Sequence, residues 1–128
     1  MTISIAARDP DSQQYGVAVA SAFPAVGAVC PWVGADGAVV TQSWDAGADY
    51  GRALLYLLDW GFSLPTAAEA LVAGREGSVG LQLHGIDAAG NTYAHTGEKC
   101  VDHADHYVGE EYTVGGDLLA SAEVIDAV

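Results

Sequence analysis

Thr2 is the first residue of the chain whose type and position could do chemistry. Initiator methionine is usually removed before a small side chain, and the α-amine exposed in this way has a reference pKa of about 7.7–8.0. Such an amine can take the proton of its own side-chain hydroxyl, so one residue provides both nucleophile and general base. Threonine is also common at this position without any function, so position alone supports catalysis only as a hypothesis.

A second group of reactive residue types lies in the segment CVDHADH, residues 100–106. Cys100, His103 and His106, with the aspartates between them, offer thiolate, imidazole and carboxylate groups, all of which bind zinc. The two histidines are three residues apart and would point to opposite faces of a strand, so a single metal site requires a turn or a helix there. The sequence therefore favours an exposed polar turn and leaves a zinc site as the weaker alternative.

Other polar and aromatic residues fit structural roles better than chemical ones. His84 and His95 are isolated in strand-like segments, where a hydrogen-bonded strand residue is expected. Neither a dinucleotide-binding nor a Walker motif is present, so nucleotide binding has no support. Five aromatic residues are expected to fill the core and interfaces rather than to form an aromatic cage that binds a ligand. They are Trp32, Trp44, Trp60, Tyr50 and Tyr56.

The composition limits the classes of partner. Seventeen acidic residues against four basic ones give a formal net charge of −13, which repels phosphate backbones and anionic membrane surfaces. We therefore expect neither nucleic acid nor a membrane as partner, and the acidic excess is typical of adaptation to a salty cytoplasm. The sequence shows neither a signal peptide nor an apolar run of the roughly 20 residues that span a membrane, so a cytoplasmic location is expected.

The order of predicted elements indicates a single α+β domain, with helices stacked on sheet, for this chain of 128 residues. Two adjacent helices are predicted, one over residues 49–60 and one from a Ser63 cap to Gly74, because apolar residues recur there at helical spacing. A further helix is predicted to begin within residues 118–128. Alternating patterns predict strands on both sides of the helix pair, at residues 2–8, 15–22, 27–33, 37–43, 79–84, 92–96 and 107–114.

The first predicted hairpin gives Thr2 a neighbour. If residues 9–14 form the loop, Arg8 faces Tyr15, and stepping back along both strands places Thr2 opposite Ser21. Directly opposed residues of an antiparallel pair point to the same face, with Cβ atoms about 4.5–5.5 Å apart. A slip of one residue would instead bring an alanine there, so the pairing depends on the loop length.

Six stretches form a pattern along nearly the whole chain: ARDP (7–10), GVAVASAFPAVGAVCPW (16–32), TQSW (41–44), YG (50–51), AHTGEKC (94–100) and LLASAEVIDA (118–127). In this order they resemble the domain of unknown function family 1028. That family is similar to the N-terminal nucleophile (Ntn) hydrolases, so the resemblance implies an αββα sandwich. It also implies hydrolysis of a small amide or peptide-like bond, without a cofactor or metal.

The resemblance also implies roles for single residues. Thr2 would attack the amide carbonyl and form a covalent acyl-enzyme that water hydrolyses. Donors for the oxyanion are expected near Ser21, which the hairpin register and the VAS stretch both indicate, and near Thr41 and Gln42, which the TQ stretch alone indicates. Arg8, on the same strand face as Thr2, could bind a substrate carboxylate or could instead form a salt bridge with an aspartate of the following turn.

The chain departs from the family pattern in three respects. The pattern has an asparagine after a glycine near the end, whereas here Asp117 follows Gly116, and a carboxylate cannot donate to an oxyanion as an amide can. An arginine-rich stretch is reduced to Arg75. Family members run well beyond Val128, so the chain resembles their N-terminal portion. An incomplete sandwich would expose apolar sheet surface, so we expect either a homo-oligomer that covers this surface or a truncated form of a longer parent.

These departures keep a second hypothesis open, from a different class of protein. The chain could be a non-catalytic interaction or oligomerisation remnant of the same fold. Retention of Met1 would favour this second hypothesis, because a retained methionine blocks the α-amine of Thr2.

Overall fold

The computed structural model describes residues 1–44, 47–101 and 103–128. Within these ranges the chain forms two four-stranded antiparallel sheets and two α-helices, which is the α+β organisation that the sequence predicts. The helices are α1 (Ala48–Asp59) and α2 (Leu64–Gly74). The strands are β1 (Thr2–Arg8), β2 (Tyr15–Ser21), β3 (Pro31–Gly34), β4 (Gly37–Gln42), β5 (Gln82–Asp87), β6 (Thr92–Thr96), β7 (Asp105–Val108) and β8 (Tyr112–Asp117).

The strands are divided between two sheets that pack face to face. The first sheet has the order β2-β1-β8-β7, and the second has the order β3-β4-β5-β6. β1 and β8 of the first sheet contact β4 and β5 of the second, while α1 and α2 pack against the second sheet. The described residues therefore form three layers, with helices on one side and two sheets behind them.

An apolar core joins the helices to the second sheet. Tyr50, Leu54 and Leu58 recur every four residues along α1, so they share one face of the helix, and each is at most 4% exposed. They pack with Val39 of β4 and Leu83 of β5, which are fully buried. Burial of this helix face anchors the second sheet, whose other face is then available to the first sheet.

The two central helices agree closely with the prediction. α1 begins and ends one residue before the predicted positions. The Ser63 hydroxyl caps α2 by accepting a hydrogen bond from the Thr66 N–H, and Pro65 lies in the first turn, where its missing N–H costs nothing. A local capping signal therefore suffices to define the start of α2.

The first hairpin has the predicted register. Thr2 pairs with Ser21 and Arg8 with Tyr15. Asp9 helps to close the loop, because its carboxylate accepts hydrogen bonds from the Asp11 N–H and the Ser12 hydroxyl. The loop length inferred from these turn residues is therefore correct, and so is the pairing that depends on it.

Four predicted elements are wrong. The strand predicted at 27–33 begins only at Pro31, because Val26–Ala28 forms a 3₁₀ turn. Residues 107–114 do not form one strand, because a turn at Glu111, with φ of 65°, separates β7 from β8 and pairs Tyr107 with Val114. The end of the chain forms a 3₁₀ segment, Ala122–Ala127, instead of an α-helix. The strand predicted at 79–84 begins later, at Gln82, because residues 76–80 form another 3₁₀ turn.

The sheets contact each other through buried polar side chains. Ser4 Oγ donates to Gln42 Oε1 at 2.7 Å and lies 2.8 Å from His84 Nε2. His84 Nδ1 lies 2.9 Å from the Thr113 hydroxyl, and Gln42 Nε2 donates to Gln82 Oε1 at 2.6 Å. Burial, with a smaller effect of His106, lowers the pKa of His84 to about 3. A neutral imidazole therefore lies in this inter-sheet network of Ser4, Gln42, Gln82, His84 and Thr113.

The outer face of the first sheet has only a partial cover. Leu119 and Ile125 pack against Val114 on this face, while Ala18 and Ala20 are exposed. No α-helix lies there within the described ranges, so the second helical layer of the expected αββα sandwich is not observed.

With 12 and 11 residues, α1 and α2 are too short to cross a bilayer, and no other described helix is long and apolar enough to do so.

Candidate active site

The start of β1 brings two hydroxyl groups together. Thr2 Oγ1 lies 3.0 Å from Ser21 Oγ, as expected for direct partners in the hairpin. Both side chains lie on the face of the first sheet that also carries Ser4, which is the face toward the second sheet. The proximity of Thr2 and Ser21 predicted from the hairpin is therefore confirmed.

The carbonyl group of Met1 lies beside these hydroxyls. Its oxygen accepts hydrogen bonds from the Ser21 hydroxyl at 3.1 Å and from the Ala22 N–H at 3.3 Å. The Met1 residue is 52% exposed. The peptide bond that links Met1 to Thr2 thus has two donors on its carbonyl oxygen and an accessible residue on its amino-terminal side.

Asp117 approaches Thr2 from the opposite strand. The two residues are register partners in β1 and β8, and Asp117 is 4% exposed. Burial raises the pKa of Asp117, and the Thr2 hydroxyl, the chain's amino terminus and the Ser43 hydroxyl offset part of that rise. Its Oδ1 atom is buried and has no hydrogen-bond partner in the described part of the protein. A buried acceptor without a partner is costly, so a donor bound at this position would be stabilised.

Backbone strain occurs where two strands end at the same place. Ser43 follows β4 with φ of 81°, and Leu118 follows β8 with φ of 52°. Non-glycine residues rarely adopt this left-handed region, and each such residue costs about 1–3 kcal/mol. Ser43 Oγ is also buried without a hydrogen-bond partner among the described residues. Strain and unsatisfied polar atoms concentrate at functional sites, and here both occur next to Thr2.

A cavity of about 480 Å³ opens at these residues. Its volume lies within the roughly 300–1,000 Å³ of pockets that hold small molecules. Its polar wall consists of Thr2, Ser21, Gln42, Ser43 and Asp117. The remaining wall is mostly apolar and includes Phe23, Val26, Val29, Trp44, Val101 and Leu118.

Cys30 also lines the cavity and carries a thiol, which is another possible nucleophile. It is 4% exposed, and burial, followed by the nearby Asp117 carboxylate, raises the pKa of its thiol. The thiolate is the reactive form of cysteine, so these surroundings keep Cys30 in its inert form at neutral pH.

Gln42 and Thr41, both expected to donate to an oxyanion, differ in position. Gln42 reaches the cavity, although one of its two amide N–H groups is already donated to Gln82. Thr41 points to the other face of β4, where its hydroxyl accepts a hydrogen bond from the Trp32 indole N–H at 3.0 Å. Because neighbouring strand residues face opposite sides, only Gln42 can join Thr2, and the expectation for Thr41 is wrong.

Arg8 is not brought to the cavity. It lies at the far end of β1, and its Nη1 atom contacts both carboxylate oxygens of Glu111 at 3.0 and 3.1 Å. Arg8 therefore forms a salt bridge, as the alternative prediction states, but its partner is Glu111 rather than an aspartate of the adjacent turn. The position of Arg8 does not support a role in binding a substrate carboxylate.

The segment 100–106 does not assemble a metal site among the described residues, and Asp102 lies outside them. His106 Nδ1 lies 2.8 Å from the Thr96 hydroxyl, and His103 is exposed. His84 and His95 make hydrogen bonds within the sheet region, as expected of strand residues.

The aromatic residues expected in the core or at interfaces differ in burial. Trp32 and Tyr50 belong to the core, whereas the side chains of Trp44, Trp60 and Tyr56 are exposed.

The sequence pointed to Thr2, Ser21, Gln42 and Asp117 but missed the rest of the cavity. Ser43 directly follows the TQ stretch and could have been included on that ground. The apolar wall could not be predicted, because its members lie in loops far apart in the sequence. Trp44 is 78% exposed at the cavity and is therefore not part of the core.

Comparisons with known proteins agree with the resemblance at the level of the family. The family of unknown function DUF1028 matches residues 2–128, essentially the whole chain. A crystal structure of a Silicibacter pomeroyi protein, described as DUF1028, is similar over 98% of this chain, with a TM-score of 0.93 and 25% sequence identity. The chain spans 58% of the length of that protein, and a search of curated proteins gives no match. The chain therefore belongs to the family of unknown function DUF1028.

Proposed function

We propose that this protein is an N-terminal nucleophile hydrolase of a small amide or peptide-like bond, with Thr2 as the nucleophile after removal of Met1. The observation that carries the proposal is the convergence of Thr2, Ser21 and Asp117 in the lining of the cavity. The resemblance of the family pattern to the Ntn hydrolases supports it. No cofactor is required, because hydroxyl and α-amine belong to one residue.

The first requirement is a free α-amine on Thr2. Met1 is 52% exposed and followed by a small residue, so an aminopeptidase can reach the bond. Removal of Met1 also takes away the carbonyl oxygen to which the Ser21 hydroxyl and the Ala22 N–H donate. Those two donors then face the cavity beside Thr2, and we assign them to the oxyanion of the reaction.

The reaction would begin with attack of Thr2 Oγ1 on the amide carbonyl carbon. The α-amine takes the hydroxyl proton, and the carbonyl π electrons move to the oxygen held by Ser21 and Ala22. When the tetrahedral intermediate collapses, the C–N bond breaks, and the leaving nitrogen receives the proton from the α-ammonium. The acyl group is then an ester on Thr2.

The second half of the reaction releases the acid. Water attacks the ester carbonyl and gives a proton to the α-amine, and the C–O bond to Thr2 then breaks as its oxygen recovers that proton. Asp117 would accept a hydrogen bond from the α-ammonium in both halves, using the oxygen that has no other partner among the described residues. In this role a carboxylate at residue 117 stabilises the protonated amine, and it need not donate to the oxyanion.

The proposal is tested by assaying a panel of fluorogenic amides with the protein and with Thr2→Ser and Thr2→Ala variants, after intact mass has established loss of Met1. All three residues are small enough for methionine removal. Thr2→Ser is expected to retain measurable hydrolysis, since it keeps hydroxyl and amine, whereas Thr2→Ala should lose it. Thr66→Ala, a change at an exposed helix position, serves as the control. Hydrolysis that survives Thr2→Ala would overturn the mechanism.

The second hypothesis, a non-catalytic remnant of the fold, predicts a different result. In that case the purified protein would keep Met1 or would cleave none of the amides in any form. The intact mass and the amide panel thus decide between the two classes of function in one set of samples.

A further inference from the structure

The cavity beside Thr2 has a division of chemical character. The five polar residues named above form part of its lining, and the rest of the lining is dominated by apolar side chains. Apolar walls with a few convergent polar groups are the usual composition of small-molecule sites. The part of a ligand that lies away from Thr2 therefore contacts mostly hydrocarbon.

The apolar side chains at this cavity are unusually exposed. Phe23 is 64% exposed, Trp44 is 78% exposed and Leu118 is 49% exposed. Single exposed apolar residues are common, but three large ones around one cavity form a patch of the kind that marks binding sites. A ligand with an apolar chain would remove this surface from water and so bind favourably.

The charge of the lining restricts the ligand further. Among the described residues that line the cavity, Asp117 is the only acidic side chain, and lysine, arginine and histidine are absent. A carboxylate at the far end of a ligand chain, away from the α-amine, would therefore meet no basic side chain there, and the net charge of −13 would disfavour its entry. The site therefore selects against anionic chains.

Met1 shows where an acyl group can lie. It is bonded through its carbonyl carbon to the nitrogen of Thr2, and its carbonyl oxygen is held by the Ser21 hydroxyl and the Ala22 N–H. The Met1 residue itself lines the cavity. A residue attached through its carbonyl carbon thus already lines the cavity next to the donors that would hold the acyl half of an amide.

We propose that the cavity is an acyl-binding pocket for a neutral, unbranched apolar chain of about the size of a methionine side chain or longer. The assignment of substrates rests on the proposed function. The assignment of a binding pocket does not, because the apolar lining, the charge of the lining and the position of Met1 are independent of any reaction. The substrates of the proposed hydrolase are accordingly amides with apolar acyl groups.

The catalytic test compares hexanoyl, acetyl and glutaryl amides of one fluorogenic amine, which differ only in the acyl half. Burial of each methylene group is worth about 0.8 kcal/mol, or about fourfold in kcat/KM, so hexanoyl should exceed acetyl by one order of magnitude or more. Glutaryl should be the poorest substrate, because the carboxylate at the far end of its chain meets no basic side chain among the described lining residues. A glutaryl amide hydrolysed as fast as the hexanoyl amide would overturn the proposal.

The binding test does not require activity. Hexanamide and acetamide are titrated into the Thr2→Ala variant while tryptophan fluorescence and proton NMR line widths of the ligand are followed. Binding of hexanamide should be at least tenfold tighter than that of acetamide and should be weaker in protein that keeps Met1, since Met1 occupies part of the pocket. Equal affinity for the two amides would contradict the pocket assignment.

A pair of bulky substitutions locates the binding site. Val29→Trp narrows the cavity and should lower kcat/KM for the hexanoyl amide at least tenfold more than for the acetyl amide. Val33→Trp adds the same bulk on an exposed position of β3, outside the cavity lining, and should change neither. Equal losses for both amides in Val29→Trp would argue against acyl recognition there.

The two proposals fail in different ways. If hexanamide binds but no amide is cleaved, the pocket stands and the hydrolase proposal falls. If amides are cleaved in a Thr2-dependent manner but without preference for apolar chains, the hydrolase stands and the acyl pocket falls.

Discussion

The Asp117 carboxyl group lies next to the Thr2 hydroxyl, because the two residues are direct partners across β1 and β8. This pairing joins the first strand of the chain to the last. A buried carboxylate at the beginning of β1 influences whatever amine is located there, since opposite charges at short distance stabilise each other. The protonation of the proposed base therefore depends on a residue from the far end of the sequence.

Replacement of Asp117 by asparagine should shift the pH dependence of hydrolysis. The carboxylate stabilises the protonated α-amine, so its removal lowers the pKa of that amine, and the acid limb of the kcat/KM profile moves to lower pH. The measurement is kcat/KM across pH 5 to 9 for both proteins. Asp59→Asn, on an exposed part of α1, is the matched control and should leave the profile in place. An unchanged profile in Asp117→Asn would remove Asp117 from the mechanism.

The same substitution should also affect stability. The pKa of Asp117 is raised in the folded protein, so the folded state holds its proton up to higher pH than the unfolded state does. The free energy of unfolding consequently falls as pH rises from the unfolded pKa through the folded one. Asp117→Asn should be at least as stable as the parent at pH 7 in urea denaturation, and a clear loss of stability would contradict this account of its burial.

Replacement of Ser21 by alanine should reduce turnover more than binding. Loss of one oxyanion donor typically lowers kcat by about 10²–10³-fold, and the Ala22 N–H would remain as the second donor. We therefore expect a fall in kcat with KM nearly constant. Ser12→Ala, in the exposed turn of the same hairpin, provides the control. A variant that changes KM alone would assign Ser21 to substrate binding instead.

His84 should make the stability of the protein depend on pH. Its pKa is about 3 when folded and 6.5 in the reference state, so between these values the unfolded chain binds a proton that the folded protein does not. Stability is thus complete above about pH 6.5 and falls by up to ~1.4 kcal/mol per pH unit as the pH drops toward 3. Urea denaturation at several pH values measures the slope.

A His84→Gln variant should have a smaller slope in this window, because it removes one titrating group and keeps polar atoms for the inter-sheet network. His95→Gln changes a half-buried histidine outside that network and serves for comparison. If the two variants and the parent have the same slope, His84 is not the group that titrates.

The Arg8–Glu111 ion pair should contribute to stability and not to substrate choice. The side chains are 10% and 27% exposed, and a pair of this kind is worth about 1 kcal/mol or less. Arg8→Gln is expected to lower the free energy of unfolding by that amount. The ratio of kcat/KM for glutaryl and acetyl amides should stay the same, and a selective loss for the glutaryl amide would restore Arg8 as a carboxylate-binding residue.

Gly51 marks a close approach between α1 and β3. A Cβ atom added there would overlap the indole ring of Trp32, whereas Gly74 at the end of α2 faces open space. Gly51→Ala should therefore destabilise the protein by about 1–3 kcal/mol, the usual range for overpacking. Gly74→Ala should be neutral or slightly stabilising. The difference in melting temperature between the two variants tests the predicted helix packing.

Features fixed by local signals could be predicted from the sequence. The turn residues at 9–14 determine the loop length of the first hairpin, and this alone gives the Thr2–Ser21 pair. Ser63 and Gly74 likewise define α2. The separation of β7 from β8 could not be predicted in this way, because the turn places Glu111, a residue with no turn preference, at a positive φ.

The cavity depends on contacts between segments that are distant in the sequence, and local sequence patterns do not predict such contacts. The TQ stretch identifies Gln42 and Thr41 equally, and only the pairing of β4 decides that Gln42 faces Thr2. Arg8 shares a strand face with Thr2, but its role depends on Glu111, which is more than a hundred residues away in the sequence. The alternating pattern of one strand determines the sheet face on which a side chain lies. Which residue it contacts on that face depends on the tertiary structure.

The polar side chains buried between the two sheets have a mechanical consequence. An apolar interface can shift by a small distance at little cost, because its contacts have no preferred direction. Hydrogen bonds from Ser4 to Gln42 and from Gln42 to Gln82 are directional, so sliding one sheet over the other would break them in a medium without water. Thr2 stands on one sheet and Gln42 on the other, and the space between them accordingly keeps fixed dimensions.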